Sequence, residues 1–68
     1  MITKTITGKV NFVLEAYSFQ DFLHHMDLHD CEVLHVKRSF TSYIVTVRGT
    51  DRNLNHARWF FRHCGSII

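Results

Sequence analysis

Hydrophobic and polar residues alternate with a period of two along three segments of the chain, which is the pattern of half-buried β-strands. These segments are Thr3–Glu15, Cys31–Arg38 and Tyr43–Gly49. Gly8 interrupts the first segment, and a glycine at such a position can mark a bulge, a bend or a turn between two short strands. We expect one long strand there. The connection between the other two strands, at residues 38–42, has the length of a hairpin loop but lacks the Asn-Gly pair of a tight turn.

Helical periodicity follows the first strand. A helix is predicted to start at Ser18, because Ser-Phe-Gln-Asp resembles a capping box with aspartate at its third helical position. It is expected to end between Leu28 and Asp30, where no glycine is available as a cap. At about 100° per residue, four apolar side chains fall on one face and predict the side that packs on the core: Phe19, Phe22, Leu23 and Met26.

A second helix is predicted after the third strand. Thr50 or Asp51 is expected to cap its start, and the helix is expected to reach about Cys64. Gly65 suits the left-handed position just past a helix end. Five residues fall within a sector of about 120° and predict the side that faces the sheet: Leu54, Ala57, Phe60, Phe61 and Cys64.

The predicted order is strand, helix, strand, strand, helix, which is an α+β class. It corresponds to a ferredoxin-like split-βαβ arrangement in which both helices cover one face of a single-layer antiparallel sheet. Only Ser66, Ile67 and Ile68 remain for a last strand, which is therefore missing or two to three residues long. The sheet would then have an open edge. Such an edge predicts either a homodimer that pairs through it or a monomer in which it is blunted. We take residues 1–68 as one domain.

Composition narrows the function classes. The chain has 68 residues, of which 46% are hydrophobic and 21% charged, and this excludes disorder caused by low hydrophobicity. No apolar run approaches the ~18 residues of a membrane span, and we expect a cytoplasmic protein without a secretory signal. The formal charge of +2 argues only weakly for nucleic acid.

The second helix provides the candidate site. Trp59 falls about 140° from Leu54, on the outward half of a regular helix. Since tryptophan and arginine are enriched at the energetic centres of interfaces, an outward tryptophan among basic groups predicts a contact surface. The alternatives are that Trp59 packs against the tail at Ile67 and Ile68, against the loop around Phe40, or in a dimer contact. The predicted partner-binding residues are Trp59, Arg52, Arg58, Arg62 and His63 on the helix, with Lys37, Arg38 and Phe40 at the hairpin.

Catalytic and metal chemistry have weaker signals. Asp21, His25 and His29 are spaced by four residues and lie on one helical side, a set that suits zinc, yet no HExxH or CxxC motif accompanies them. Cys31 and Cys64 are expected to be free thiols. The chain has no GxSxG elbow, P-loop or GxGxxG pattern. We therefore expect no enzyme, no metal and no cofactor.

The sequence thus favours a non-catalytic interaction protein that binds a protein target and inhibits or regulates it, as small phage or mobile-element proteins do. The alternative is a regulatory module that binds RNA or DNA with its basic helix. A lesser alternative is a histidine-rich metal-binding protein.

Overall fold

The computed structural model describes residues 2–11, 19–40 and 42–68. The predicted order of elements is confirmed, with a short fourth strand added: β1 Lys4–Asn11, α1 Phe19–Leu28, β2 Glu32–Arg38, β3 Ser42–Gly49, α2 Asp51–Cys64 and β4 Gly65–Ile67. The predictions that the first strand continues to Glu15 and that Ser18 caps α1 lie outside the described residues.

The four strands form one antiparallel sheet in the order β2-β3-β1-β4. β1 and β2 therefore run parallel, with β3 between them. The expectation of a last strand of at most three residues is confirmed, because β4 pairs only with Gly8–Val10 of β1. A register shift between Val33 and His35 places a bulge in β2, which is an edge strand.

Both helices pack on the same face of the sheet. The ring of Phe22 in α1 lies 5.4 Å from that of Phe60 and 5.9 Å from that of Phe61, both in α2, so the two helices lie side by side. Phe19 stacks on Tyr43 of β3 with ring centroids 3.8 Å apart, which anchors the start of α1. The buried core joins both helices to the central strands: Val10, Phe22, Met26, Cys31, Val45, Val47, Leu54, Ala57, Phe60, Phe61 and Cys64.

Gly8 makes neither a bulge nor a turn. β1 runs through it without interruption, paired with Val45 on one side and Ile67 on the other. A Cβ at Gly8 would overlap the ring of Phe61, which packs directly on the glycine backbone. The glycine is therefore needed because α2 approaches the sheet closely at this point.

The prediction that Gly65 takes a left-handed conformation is wrong. Its φ is 178°, which is extended backbone, because the chain passes directly from α2 into β4. A Cβ on Gly65 would collide with the carbonyl oxygen of Lys9 in β1. The glycine lets the two backbones approach each other, and no helix cap is involved.

The left-handed residue is Asp30, with φ of 55°, at the end of α1. The amide of Cys31 donates to the carbonyl of Met26 at 2.8 Å, and the amide of Asp30 donates to that of Asp27 at 3.3 Å. These bonds form a Schellman motif with aspartate at the position where glycine is usual. The helix thus ends where the sequence predicts, by a cap that the sequence does not indicate.

Within the described ranges, α1 has 10 residues and α2 has 14, so neither helix reaches the ~20 residues needed to cross a membrane.

Candidate functional site

The start of α2 is capped as predicted. The hydroxyl of Thr50 accepts a hydrogen bond from the amide of Asn53 at 3.2 Å. The predicted sheet-facing residues are all buried, which confirms the amphipathic character of this helix. The opposite side of α2 is therefore the side available for contacts with other molecules.

Four residues spaced by four, three and four positions form a line along this exposed side, which we call the outer ridge: Arg52, His56, Trp59 and His63. Trp59 is 41% exposed. Its indole stacks on the imidazole of His63, with ring centroids 4.3 Å apart and planes inclined by 18°. The Nδ1 atom of His63 hydrogen-bonds the Trp59 carbonyl oxygen at 2.8 Å. This bond orients the imidazole on which the indole rests, so Trp59 is supported from within its own helix.

Arg58 lies on a neighbouring line of the helix and is engaged within it. Its guanidinium donates to a carboxylate oxygen of Asp51 and to Oδ1 of Asn55, each at 2.9 Å. The hydrogen bond from Arg58, together with the charges of Lys4 and Arg58, lowers the pKa of Asp51 below its usual value. The side chain of Arg58 is 23% exposed. Its role as a donor to a partner stays a prediction, and any such contact would compete with these bonds.

The other two predicted arginines of α2, Arg52 and Arg62, are exposed. No carboxylate of the described part of the chain lies within ion-pair distance of either side chain. Their charges therefore remain available at the two ends of the helix.

The hairpin residues form a different surface. Phe40 is 99% exposed, so Trp59 is not buried against it. Arg38 and Phe40 line a shallow depression together with Ser39. Lys37 is exposed on β2. A binding surface that combines this hairpin with the outer ridge stays a prediction.

A groove between the two helices adds residues that the sequence interpretation did not assign to the site. It has a volume of about 300 Å³ and is lined by His25 and His29 of α1 and by His56, Trp59 and Phe60 of α2. We call it the histidine groove. Trp59 thus belongs to both the outer ridge and this groove.

Aromatic contacts cross the histidine groove between the helices. The imidazoles of His29 and His56 stack with centroids 3.5 Å apart and planes inclined by 5°. The ring of His25 lies 5.2 Å from that of Phe60 and 6.2 Å from that of His29. Desolvation of His56, together with the charges that His29 and His25 carry when protonated, lowers the pKa of His56 below its ordinary value.

The spacing of these residues holds the signal that could have located the groove. His25 and His29 are four residues apart on α1, and His56 and Phe60 are four apart on α2. Each pair therefore lies on one side of its helix. The pairs meet only because the helices pack against each other, which the sequence pattern does not specify.

The same geometry bears on the metal hypothesis. Among the described residues, no group of three or more histidine, cysteine, aspartate or glutamate side chains could hold a metal ion. In stacked imidazoles such as those of His29 and His56, the nitrogen lone pairs lie in nearly parallel planes and do not converge on one point. Asp21, His25 and His29 accordingly do not form a metal-binding set.

Both cysteines are buried free thiols, as expected. The Sγ atom of Cys31 donates to the carbonyl oxygen of Asn53 at 3.3 Å. Burial, and secondarily the charge of Asp30, raises the pKa of the Cys31 thiol. A thiol of this kind stays protonated near neutral pH and is a poor nucleophile.

Comparison with known proteins gives no match among protein-family models, curated protein sequences or solved structures.

Proposed function

We propose that this protein is a non-catalytic interaction module of the cytoplasm that binds a protein target through the outer ridge of α2 and so inhibits or regulates that target. We further propose that this protein is encoded by a phage or mobile element and acts on host machinery, a role to which a compact single-domain binder is suited. The observation that carries the proposal is the exposed Trp59, supported by His63 at the mouth of the histidine groove.

The exposed part of Trp59 is large enough to dominate a contact. With 41% of the residue exposed, about 100 Å² of mostly apolar surface faces solvent. Covering that area contributes about 2–3 kcal/mol at the usual value per unit of buried apolar surface. Tryptophans at the centre of an interface commonly contribute at least about 2 kcal/mol, so this side chain matches an interface anchor.

The proposal is tested by capture from lysate on immobilised protein, followed by binding measurements with the purified partner. Trp59→Ala is expected to keep the fold and to weaken partner binding by about 30-fold or more. Leu28→Ala is the matched control, since Leu28 is an apolar side chain that is 60% exposed on α1 and outside the site. Binding that survives Trp59→Ala, or a Trp59→Ala chain that no longer folds, would contradict the proposal.

Nucleic-acid binding is the second candidate, and the exposed Arg52 and Arg62 are the observation in its favour. The sheet offers less support, because Tyr43 stacks on Phe19 on the helix-covered face and is not displayed on the open face. Phosphate contacts from three arginines, Arg52, Arg58 and Arg62, would give a logarithmic salt slope of about −2.7. Nuclease treatment of the lysate distinguishes the candidates, because only a partner held through RNA or DNA would be lost.

The fold and assembly complete the proposal. The strand order β2-β3-β1-β4 supports a ferredoxin-like split-βαβ arrangement. A homodimer through the open edge of β2 is supported by Leu34 and Val36, which are 43% and 41% exposed. The bulge in β2 and the cations Lys37 and Arg38 oppose it, since both features discourage edge pairing. Sedimentation of the wild-type chain decides between dimer and monomer.

A further inference from the structure

Among the described residues, those that line the histidine groove combine apolar and basic groups and include no carboxylate. Phe60 and Trp59 provide aromatic carbon, while His25, His29 and His56 provide three imidazoles. None of the lining residues within the described ranges is a lysine or an arginine. A ligand that fits must therefore place an apolar group on the aromatic rings. It must also place a negatively charged hydrogen-bond acceptor at the imidazoles.

We propose that the histidine groove receives an acidic segment of the protein partner, with an apolar side chain on Trp59 and Phe60 and an adjacent carboxylate at the imidazoles of His29 and His56. This inference rests on the proposed function and names the chemistry of the partner. A carboxylate is the protein group that pairs with a protonated imidazole, and the part of the chain that the structure describes places no competing carboxylate in the groove lining.

A peptide is favoured over RNA or DNA because the described residues that line the groove include no lysine or arginine. Phosphate contacts are made chiefly by arginine and lysine and supply most of the non-specific affinity for nucleic acids. The nearest arginine along the outer ridge, Arg52, is not part of the groove.

Binding of this kind is linked to proton uptake. In the free protein, desolvation and the neighbouring imidazoles lower the pKa of His56 and so favour its neutral form. A bound carboxylate reverses the electrostatic part of that effect, so complex formation takes up a proton and tightens as the pH falls. One linked proton gives up to about tenfold in affinity per pH unit between the free and bound pKa values.

Titratable and charged groups of both helices neighbour His56. From α1 it faces His29 and then His25, and along α2 its nearest charged neighbour on the outer ridge is Arg52. The carboxylates closest in sequence to the α1 histidines are Asp27, two residues from both His25 and His29, Asp30, directly after His29, and Asp21, one turn before His25. The strands meet the opposite, apolar side of α2. Imidazoles therefore account for the charge effect on His56.

The test is isothermal titration calorimetry with acetylated, amidated hexapeptides of alternating glutamate and leucine, glutamine and leucine, or lysine and leucine. Titration in two buffers of different ionisation enthalpy gives the number of protons taken up. The glutamate–leucine peptide is expected to bind with proton uptake and to bind at least about fivefold more tightly at pH 6 than at pH 7.5. The glutamine peptide is expected to bind more weakly and without uptake, and the lysine peptide not to bind.

Variants assign the effect to individual residues. His56→Gln is expected to reduce proton uptake and to leave less than about twofold pH dependence, and the double variant with His29→Gln to abolish both. His24→Gln is the matched control, since His24 is an exposed histidine of α1 outside the groove, and it should behave as wild type. Circular dichroism checks the fold of each variant. If the double variant does not fold, His56→Gln alone decides, because His56 is exposed.

The outcomes separate this inference from the proposed function. Equal, pH-independent binding of the glutamate and glutamine peptides would overturn the acidic-segment inference and leave Trp59-mediated protein binding in place. Failure of all peptides while the wild-type chain still captures a protein through Trp59 would do the same. Tighter binding of a single-stranded RNA dodecamer than of the glutamate peptide, lost in His56→Gln, would overturn it in favour of nucleic acid.

Discussion

Replacing Gly8 with alanine is expected to destabilise this protein, which is the opposite of what the position alone would suggest. A protein with glycine in a strand interior is generally less stable than one with alanine there by roughly 0.5–1 kcal/mol, because glycine loses more conformational freedom on folding. In this structure a Cβ at Gly8 would overlap the ring of Phe61, a fully buried side chain of α2.

The size of the effect follows from the packing of that ring. Inserting a methyl group into a filled core costs typically about 1–3 kcal/mol, because neighbouring groups must leave their preferred rotamers. A chain of 68 residues has an expected stability of only about 3–10 kcal/mol. The backbone gain of roughly 0.5–1 kcal/mol offsets part of this cost and leaves a net loss of up to about 2 kcal/mol. At about 4–8 °C per kcal/mol for a domain of this size, Gly8→Ala should lower Tm by several degrees.

The assay is urea and thermal unfolding of a matched set of variants. Gly49→Ala is the control, since a Cβ at Gly49 would meet its nearest atoms, in Cys31 and Leu54, at an ordinary 3.6 Å. That variant should be neutral or slightly more stable. In a Phe61→Leu background the ring is gone, and Gly8→Ala should lose most of its cost and show a coupling of about 0.5–3 kcal/mol. Wild-type or higher stability of Gly8→Ala would refute the close approach of Phe61 to β1.

Further predictions concern pH, helix ends and thiols. Because the pKa of His56 is lowered by folding, the native state binds fewer protons than the unfolded chain. The stability linked to His56 is therefore fully present above its ordinary pKa of 6.5 and is lost as the pH falls through the pKa of the folded state. Urea midpoints should therefore decline between about pH 7.5 and about pH 5, and an equal decline in His56→Gln would contradict this. Asp30→Gly should stabilise by up to about 1 kcal/mol, since glycine adopts the left-handed conformation without strain; a lower urea midpoint would argue against that cap. Thr50→Ala should cost about 1 kcal/mol through loss of the cap, whereas Thr50→Ser should retain it. Cys31 and Cys64 should react with Ellman's reagent far more slowly in the native protein than in urea, and similar rates would contradict their burial.

The sequence by itself determined the elements and the face of α2 that packs on the core. Alternation identified the strands, and the spacing from Leu54 to Cys64 identified the buried side of α2. These patterns are local, because strand and helix periods depend only on the backbone geometry of one element. Trp59 could therefore be placed on the outward side of its helix from its position alone, and the structure gives it 41% exposure.

The tertiary structure decided everything that depends on two distant segments. Gly8 and Gly65 are glycines because of Phe61 and Lys9, which are 53 and 56 positions away in the chain. The histidine groove likewise exists only because α1 and α2 lie side by side, which brings His29 onto His56. Residue spacing describes neighbours within one helix or strand, whereas the packing of side chains between elements determines which of those faces meet.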